Sequence, residues 1–504
     1  MGRWLGWGAA LAVLALVPGT LAALIWRAGA LAAPQPADWA ALRFTLAQAG
    51  LSALISVALA VPVARALARR HFAGRGALVA LMGAPFILPV VVAVLGLLAV
   101  FGRAGVVNRL LAAVGLPGLE IYGLHGVVLA HVFFNMPLAV RLILQGWQRV
   151  PAEQFRLAAS LGFSGGDIAR RIEWPMLRMV VPGAALTVFL LCLTSFAVVL
   201  TLGGGPGAGT LELAIYQAFR LEFDLPRVAM LALAQIGLCL AATFAALALV
   251  PAVGPARGMD RVADRYGTMP HVAGDGVVLA AATVFLALPM ALVAARGLPH
   301  IPALPASIWL AAARSLVVAL GSAAMAVTMG LALAAMQSRV AEGVTMLALA
   351  ASPLVMGAGL FVLLRPLADP AALALPVTAL VNAVMALPLV VRTLAPALRA
   401  VEANHGRLAD SLGMVGWARL RWLWLPRLRR PLGFAAGLAA ALSMGDLGVV
   451  ALFSDPGHAT LPMQISALMG AYRMTDAMAA AVLLAGLSFG LFWLCDRWGR
   501  HAGD

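Results

Sequence analysis

The 504-residue chain is 63% hydrophobic and 11% charged, with a mean hydropathy of +0.98 and a formal net charge of +15. A soluble domain carries roughly 25% charged residues, so this balance excludes an ordinary water-soluble fold. All 35 basic residues are arginine. Without lysine there is no Walker-type phosphate loop, and the glycine-rich run from Leu202 to Gly207 reads as a turn at a helix end.

Apolar runs long enough to cross a hydrocarbon core about 30 Å thick recur from end to end. A bilayer offers backbone groups no water, so the runs read as helices and the fold as all-α and polytopic. The run from Trp4 to Ile25 exceeds the roughly 7–15 residues of a signal-peptide core and reads as a retained first span at 6–26. Further spans follow at 44–64, 77–101, 124–147, 179–202 and 228–252. Beyond a polar stretch at 253–272 come 275–295, 315–336, 343–364, 372–391, 432–453 and 478–495. About twelve spans put both termini on one side. Most arginines gather on that side: Arg65 to Arg75, Arg149 to Arg178, Arg257 to Arg265, Arg399 to Arg430, and the tail with Arg497 and Arg500. The positive-inside rule makes it cytoplasmic. These arginines occupy short loops between apolar runs, a pattern for a membrane surface and not for nucleic acid.

Cys192, Cys239 and Cys495 lie far apart within apolar runs and suggest neither a disulfide nor a metal site. No cluster of His, Cys or carboxylates points to a catalytic centre.

A shift of 251 residues superimposes two stretches of the chain. Pro137, Leu138, Val140 and Arg141 fall on Pro388, Leu389, Val391 and Arg392. The run from Arg156 to Gly162 falls on Arg407 to Gly413, and Arg170, Pro175, Leu177 and Arg178 meet Arg421, Pro426, Leu428 and Arg429. Apolar helices resemble one another by composition, but a polar loop does not. The chain therefore divides into a first half at 1–252, a linker at 253–272 and a second half at 273–504, with duplicated loops at 149–178 and 399–430. Each loop reads as two short helices around a glycine, followed by a proline that suits the start of a span.

A small-residue pair, a glycine after it and a proline thirteen residues beyond that glycine resemble the coupling loop of ABC importer permeases. The resemblance implies two tandem six-helix type I permease repeats. It implies coupling helices carrying Ala158, Ala159, Gly162 and Pro175, and Ala409, Asp410, Gly413 and Pro426. It further implies two copies of a separate ATPase subunit, which would hold ATP and Mg, a periplasmic binding protein, and residence in the bacterial inner membrane with no cofactor in this chain. One departure stands out: Arg156 and Arg407 occupy the position of the motif's acid. Fused two-half permeases of this kind are typical of iron(III) and thiamine importers. The segments His131–Pro137, Ser195–Leu200, Leu211–Gln217 and Gly445–Phe453 look most like the thiamine permeases.

Asp446, an acid within a predicted span, is a candidate for the substrate pathway, where it would offset the desolvation of a cation. Ser195 is a second candidate. Asp446 could equally pair with an arginine or cap a helix. His125 and His131 suit helix-packing hydrogen bonds. Glu212, Tyr216 and Asp224 could meet the binding protein or simply line an exposed polar loop. An iron(III) or other small-solute permease is the nearest alternative reading. A secondary transporter is a more distant one, because it calls for inverted repeats and ion-coupling acids.

Overall fold

The computed structural model describes residues 2–70, 72–205, 208–249, 272–453 and 456–500. Most of the predicted linker, with Arg257, Arg261 and Arg265, lies outside them, as does Pro206. In the first half the helices are α1 (Gly2–Leu16), α2 (Pro18–Ala28), α3 (Pro36–Arg69), α4 (Arg75–Leu81), α5 (Val90–Phe101), α6 (Val106–Ala113) and α7 (Leu124–Arg149). They continue with α8 (Ala152–Ser160), α9 (Gly165–Ile168), α10 (Trp174–Leu193), α11 (Ala197–Leu202), α12 (Leu211–Gln217) and α13 (Leu225–Leu249). The second half supplies α14 (Val272–Gly297), α15 (Ala306–Met336), α16 (Arg339–Ala350), α17 (Pro353–Leu364), α18 (Ala374–Ser411) and α19 (Trp417–Arg419). It ends with α20 (Leu425–Met444), α21 (Gly448–Phe453), α22 (Leu461–Gly470) and α23 (Met474–Arg500). Among the described residues eleven helices are long and apolar enough to cross a membrane, or twelve if the bent pair α16–α17 counts as one span.

The repeat expected from sequence recurs in the packing. In the first half α3 lies against α7 and α10; in the second α15 lies against α18 and α20. Even single hydrogen bonds repeat: Leu211 N donates to Thr45 Oγ1 (2.9 Å) and Leu461 N to Ser315 Oγ (2.8 Å). The halves are not separate bodies, however. The first helices cross over, α1 packing on α15 and α2 on α17, while α14 of the second half packs on α3 and α5 of the first.

Five predicted spans are interrupted, that at 6–26 only by a turn at Val17 between α1 and α2, and the other four by breaks. The stretch 77–101 is interrupted between Met82 and Pro89, where Pro85 and Pro89 deny the helix two donors. The spans predicted at 179–202 and 432–453 each stop, at Thr194–Phe196 and Gly445–Leu447, before a short helix resumes. The span at 343–364 bends by 93° between α16 and α17, where Ser352 caps α17 by accepting from Val355 N and Pro353 starts it. Broken helices at membrane depth are tolerated where they are buried in protein or line a cavity.

Candidate translocation pathway and coupling loops

These breaks converge. A cavity of about 400 Å³ opens between the halves, walled by the break after α4 (Pro85, Pro89), Pro353, the Thr194–Phe196 break and the Gly445–Leu447 break. The helices α7 and α18 supply much of the rest of the wall, with His131, Phe134 and Asn135 facing Asn382, Met385 and Leu389, and Leu191 of α10 and Ser443 of α20 also line it. Under the 251-residue shift His131 falls on Asn382, Cys192 on Ser443 and Ser195 on Asp446. The cavity therefore has two related walls with different chemistry. On the first wall His131 Nε2 and Ser195 Oγ share a 2.7 Å hydrogen bond, and Ser52 Oγ lies 3.3 Å from Nδ1. On the second, Asn382 Nδ2 donates to Ser443 Oγ (3.1 Å). Asp446 Oδ1 accepts from Gly448 N (3.2 Å), while its buried Oδ2 has no hydrogen-bond donor among the described residues. Asp446 is the one carboxylate among the lining residues.

Asp446 thus sits in a helix break, not mid-span, and it caps α21 without an arginine partner among the described residues. Ser195 occupies the equivalent break. The structure brings the two predicted pathway residues to one cavity. His131 makes the packing bonds expected of it and lines the cavity as well. Asn135, Asn382 and Ser443 escaped the sequence reading, although each is a polar residue inside an apolar span, and Asn382 falls under the repeat shift on His131, which also lies on the wall.

At the other end of the spans lie the duplicated loops. In both, a helix ends on a glycine in the left-handed region, Gly162 at φ +67° and Gly413 at φ +65°. The amide of Phe163 donates to Ala158 O (2.9 Å) and that of Gly162 to Ala159 O (3.1 Å). Met414 to Ala409 O (2.9 Å) and Gly413 to Asp410 O (3.0 Å) reproduce the same closing pattern. Ala158 and Ala409 are buried beneath this turn, while Arg156, Ala159, Arg407 and Asp410 face outward. Leu157 and Leu161, and their equivalents Leu408 and Leu412, are about 60% exposed, an apolar pair on each tip that the described residues leave uncovered. Pro175 and Pro426 stand in the first turn of α10 and α20, each just after a π-turn (Ala169–Glu173, Leu420–Trp424). The second short helix expected in each loop is instead continuous with the span that follows. The wider turn accommodates a proline that an unbroken α-helix would resist.

Residues 48–255 match the family described as the binding-protein-dependent transport system inner membrane component. A thiamine transport system permease protein, ThiP, of Brucella abortus is 40% identical across 97% of this chain and 94% of its own length. Its namesake in Salmonella typhimurium is 39% identical across 92% and 90%. The one in Haemophilus influenzae is 34% identical across 88% and 86%. The chain belongs to the thiamine transport permease family. It is a multi-pass inner-membrane translocation subunit of a binding-protein-dependent importer.

Within the permease, two expectations are overturned: His125 is exposed and bonds to Glu120 O ahead of its own helix and not to another helix, and Glu212 departs further. Glu212 is neither exposed nor placed to meet a binding protein. It is fully buried, its carboxylate accepting from Ser352 Oγ (3.0 Å) of the second half and Gln235 Nε2 (3.2 Å) of the first. It follows a Gly-rich loop in sequence, but α12 folds inward. Truncating it would leave the buried Ser352 hydroxyl without its acceptor, while Gln235 Nε2 would keep Leu193 O (3.1 Å). Glu212→Ala is expected to cost about 2–4 kcal/mol, read as a lowered thermal midpoint of the purified permease. Glu212→Gln, which keeps shape and an acceptor, should lose less.

Proposed function

We propose that the permease moves thiamine, or its phosphates, inward by alternating access, driven by two copies of a separate ABC ATPase that dock on loops 149–178 and 399–430. The observation that carries the substrate is the cavity between the halves, with a single carboxylate among its lining residues, together with about 40% identity to thiamine permeases across nearly the whole chain. Thiamine and its phosphates all carry a thiazolium cation, and a buried carboxylate favours a ligand that presents such a group over a solute that does not. The matched glycine-ended helices with exposed leucine pairs support the docking reading: Ala158, Gly162 and Pro175 in one loop, Ala409, Gly413 and Pro426 in the other. Arg156 and Arg407 present a positive edge where the family motif has an acid. In this reading both termini and both loops face the cytoplasm, a periplasmic binding protein delivers substrate to the opposite face, and ATP and Mg are bound by the ATPase alone.

The direct test is reconstitution. The permease, its ATPase and its binding protein in proteoliposomes should accumulate labelled thiamine only with ATP inside the compartment holding the ATPase. Accumulation of iron(III) or another solute in place of thiamine would overturn the substrate assignment. Uptake without the ATPase would overturn the mechanism.

A further inference from the structure

The two loops are built alike at their glycine turns but tied to the spans in different ways. Two repeat-related positions carry the difference. Position 151 is Pro151, and its equivalent is Glu402; position 173 is Glu173, and its equivalent is Trp424.

In the first half Pro151 pushes the preceding residue out of helical conformation, and Val150 sits at φ −67°, ψ 122°. The helix α7 stops there, so α8 is a separate helix beyond a break. In the second half Glu402 replaces the proline and α18 runs unbroken for 38 residues, from the cavity wall to Ser411 at the tip of the loop.

The first loop is fastened by another means. Glu173, 3% exposed, takes Arg65 Nη2 at 2.8 Å and Arg69 Nη2 at 3.0 Å, both from the end of α3. Arg69 spans both carboxylate oxygens, Nη2 also lying 3.1 Å from Oε2. A bidentate, buried pair of this kind fixes geometry as well as distance. The adjacent Arg70 bonds Asp275 of α14 (2.7 Å), so the same end of α3 also grips the second half. In the second loop the corresponding bonds close on themselves: Arg419 pairs with Glu402 and Asp410, and Trp424 Nε1 donates to Glu402. Every partner among the described residues lies between 402 and 424, so these bonds join α18 only to the helix leading into α20 and reach no third span.

We infer that the two coupling loops pass motion to the spans by unlike routes. The first acts through the Arg65–Arg69–Glu173 cluster into α3, and the second acts directly along α18. Glu173 is then a positioning residue for transport that touches neither substrate nor ATPase. The inference rests on the reading of both loops as coupling loops.

The test uses the full complex in proteoliposomes, scoring ATPase co-purification, ATP hydrolysis and thiamine taken up per ATP. Glu173→Gln should retain the ATPase and hydrolysis within about twofold, yet lower uptake per ATP about tenfold or more. Arg65→Gln, which removes the more exposed arm, should lower the ratio about threefold and serves if Glu173→Gln does not assemble. Glu402→Gln breaks only bonds internal to its loop and should stay within about twofold, whereas Glu402→Pro, which installs the first half's break in α18, should fall about tenfold. A Glu173→Gln ratio within twofold of the parent, an Arg65→Gln ratio that is also unchanged where the former cannot be assembled, or equal losses in Glu402→Gln and Glu402→Pro would overturn the two-route inference. The coupling reading itself fails separately, through retained transport when both Gly162 and Gly413 are made bulky.

Discussion

Replacing Asp446 with asparagine is expected to lower thiamine uptake about tenfold or more, a loss of only about 1.4 kcal/mol of cation stabilisation. The geometry makes this substitution a clean probe of charge. Asp446 has two tasks that its two oxygens divide: Oδ1 accepts from Gly448 N to start α21, and Oδ2 is buried without a donor among the described residues. Asparagine can still cap the helix through its own oxygen, so the break should survive. What disappears is the negative charge. A cation about 4 Å from a carboxylate gains roughly 4 kcal/mol at an effective dielectric of 20, more than the expected loss requires. Asp446→Glu should keep part of the activity. The double change Asp446→Ser with Ser195→Asp carries the acid to the equivalent break on the opposite wall, and should recover uptake relative to Asp446→Ser alone. Uptake by Asp446→Asn within twofold of the parent, measured beside unchanged ATP hydrolysis, would remove the carboxylate from the pathway.

Much of this architecture was legible in sequence, for identifiable reasons. Spans are written in hydropathy, and the bilayer allows that signal only one structural answer. The coupling loops were legible because they are polar and duplicated, so the glycines and prolines stood out against an apolar background. The helix breaks were not. A window of about 19 residues averages over a three-residue interruption, and runs such as 179–202 remain apolar through Thr194 and Ser195. Yet the breaks make the cavity, and so the wall formed by His131, Asn135, Asn382 and Ser443 went unassembled. Glu212 misled because its neighbour is a glycine-rich loop, whereas its partners Gln235 and Ser352 lie 23 and 140 residues away. The Glu173 cluster was hidden by the same cause, its arginines being 104 and 108 residues distant. The mismatches within the repeat, Pro151 against Glu402 and Glu173 against Trp424, were nonetheless visible in the alignment. Positions where a duplication disagrees carried as much structural information as those where it agreed.

Transport should fall to background when Gly162 and Gly413 are both replaced by valine, with each single change costing about tenfold. Space is not the reason, since a Cβ at either position would meet nothing within 4 Å. The backbone is. At φ +67° and +65° an L-residue pays roughly 1–2 kcal/mol, and a β-branched one more, so valine would draw each turn back toward ordinary helical or extended angles. The bonds from Phe163 to Ala158 and from Met414 to Ala409 depend on that left-handed residue. Losing them would extend the helix past its tip and swing Leu157 and Leu161, or Leu408 and Leu412, off the face they share. The expected order separates this cause from bulk alone. Asparagine, which tolerates the left-handed region, should stay near the parent; alanine, smaller than asparagine, should nevertheless be worse; valine should be worst. Co-purification of the ATPase should follow the same order, because the turn sets where the docking face lies. If the loss instead tracked side-chain volume, with asparagine worse than alanine, the glycines would be needed for close approach of the ATPase and not for the shape of the turn.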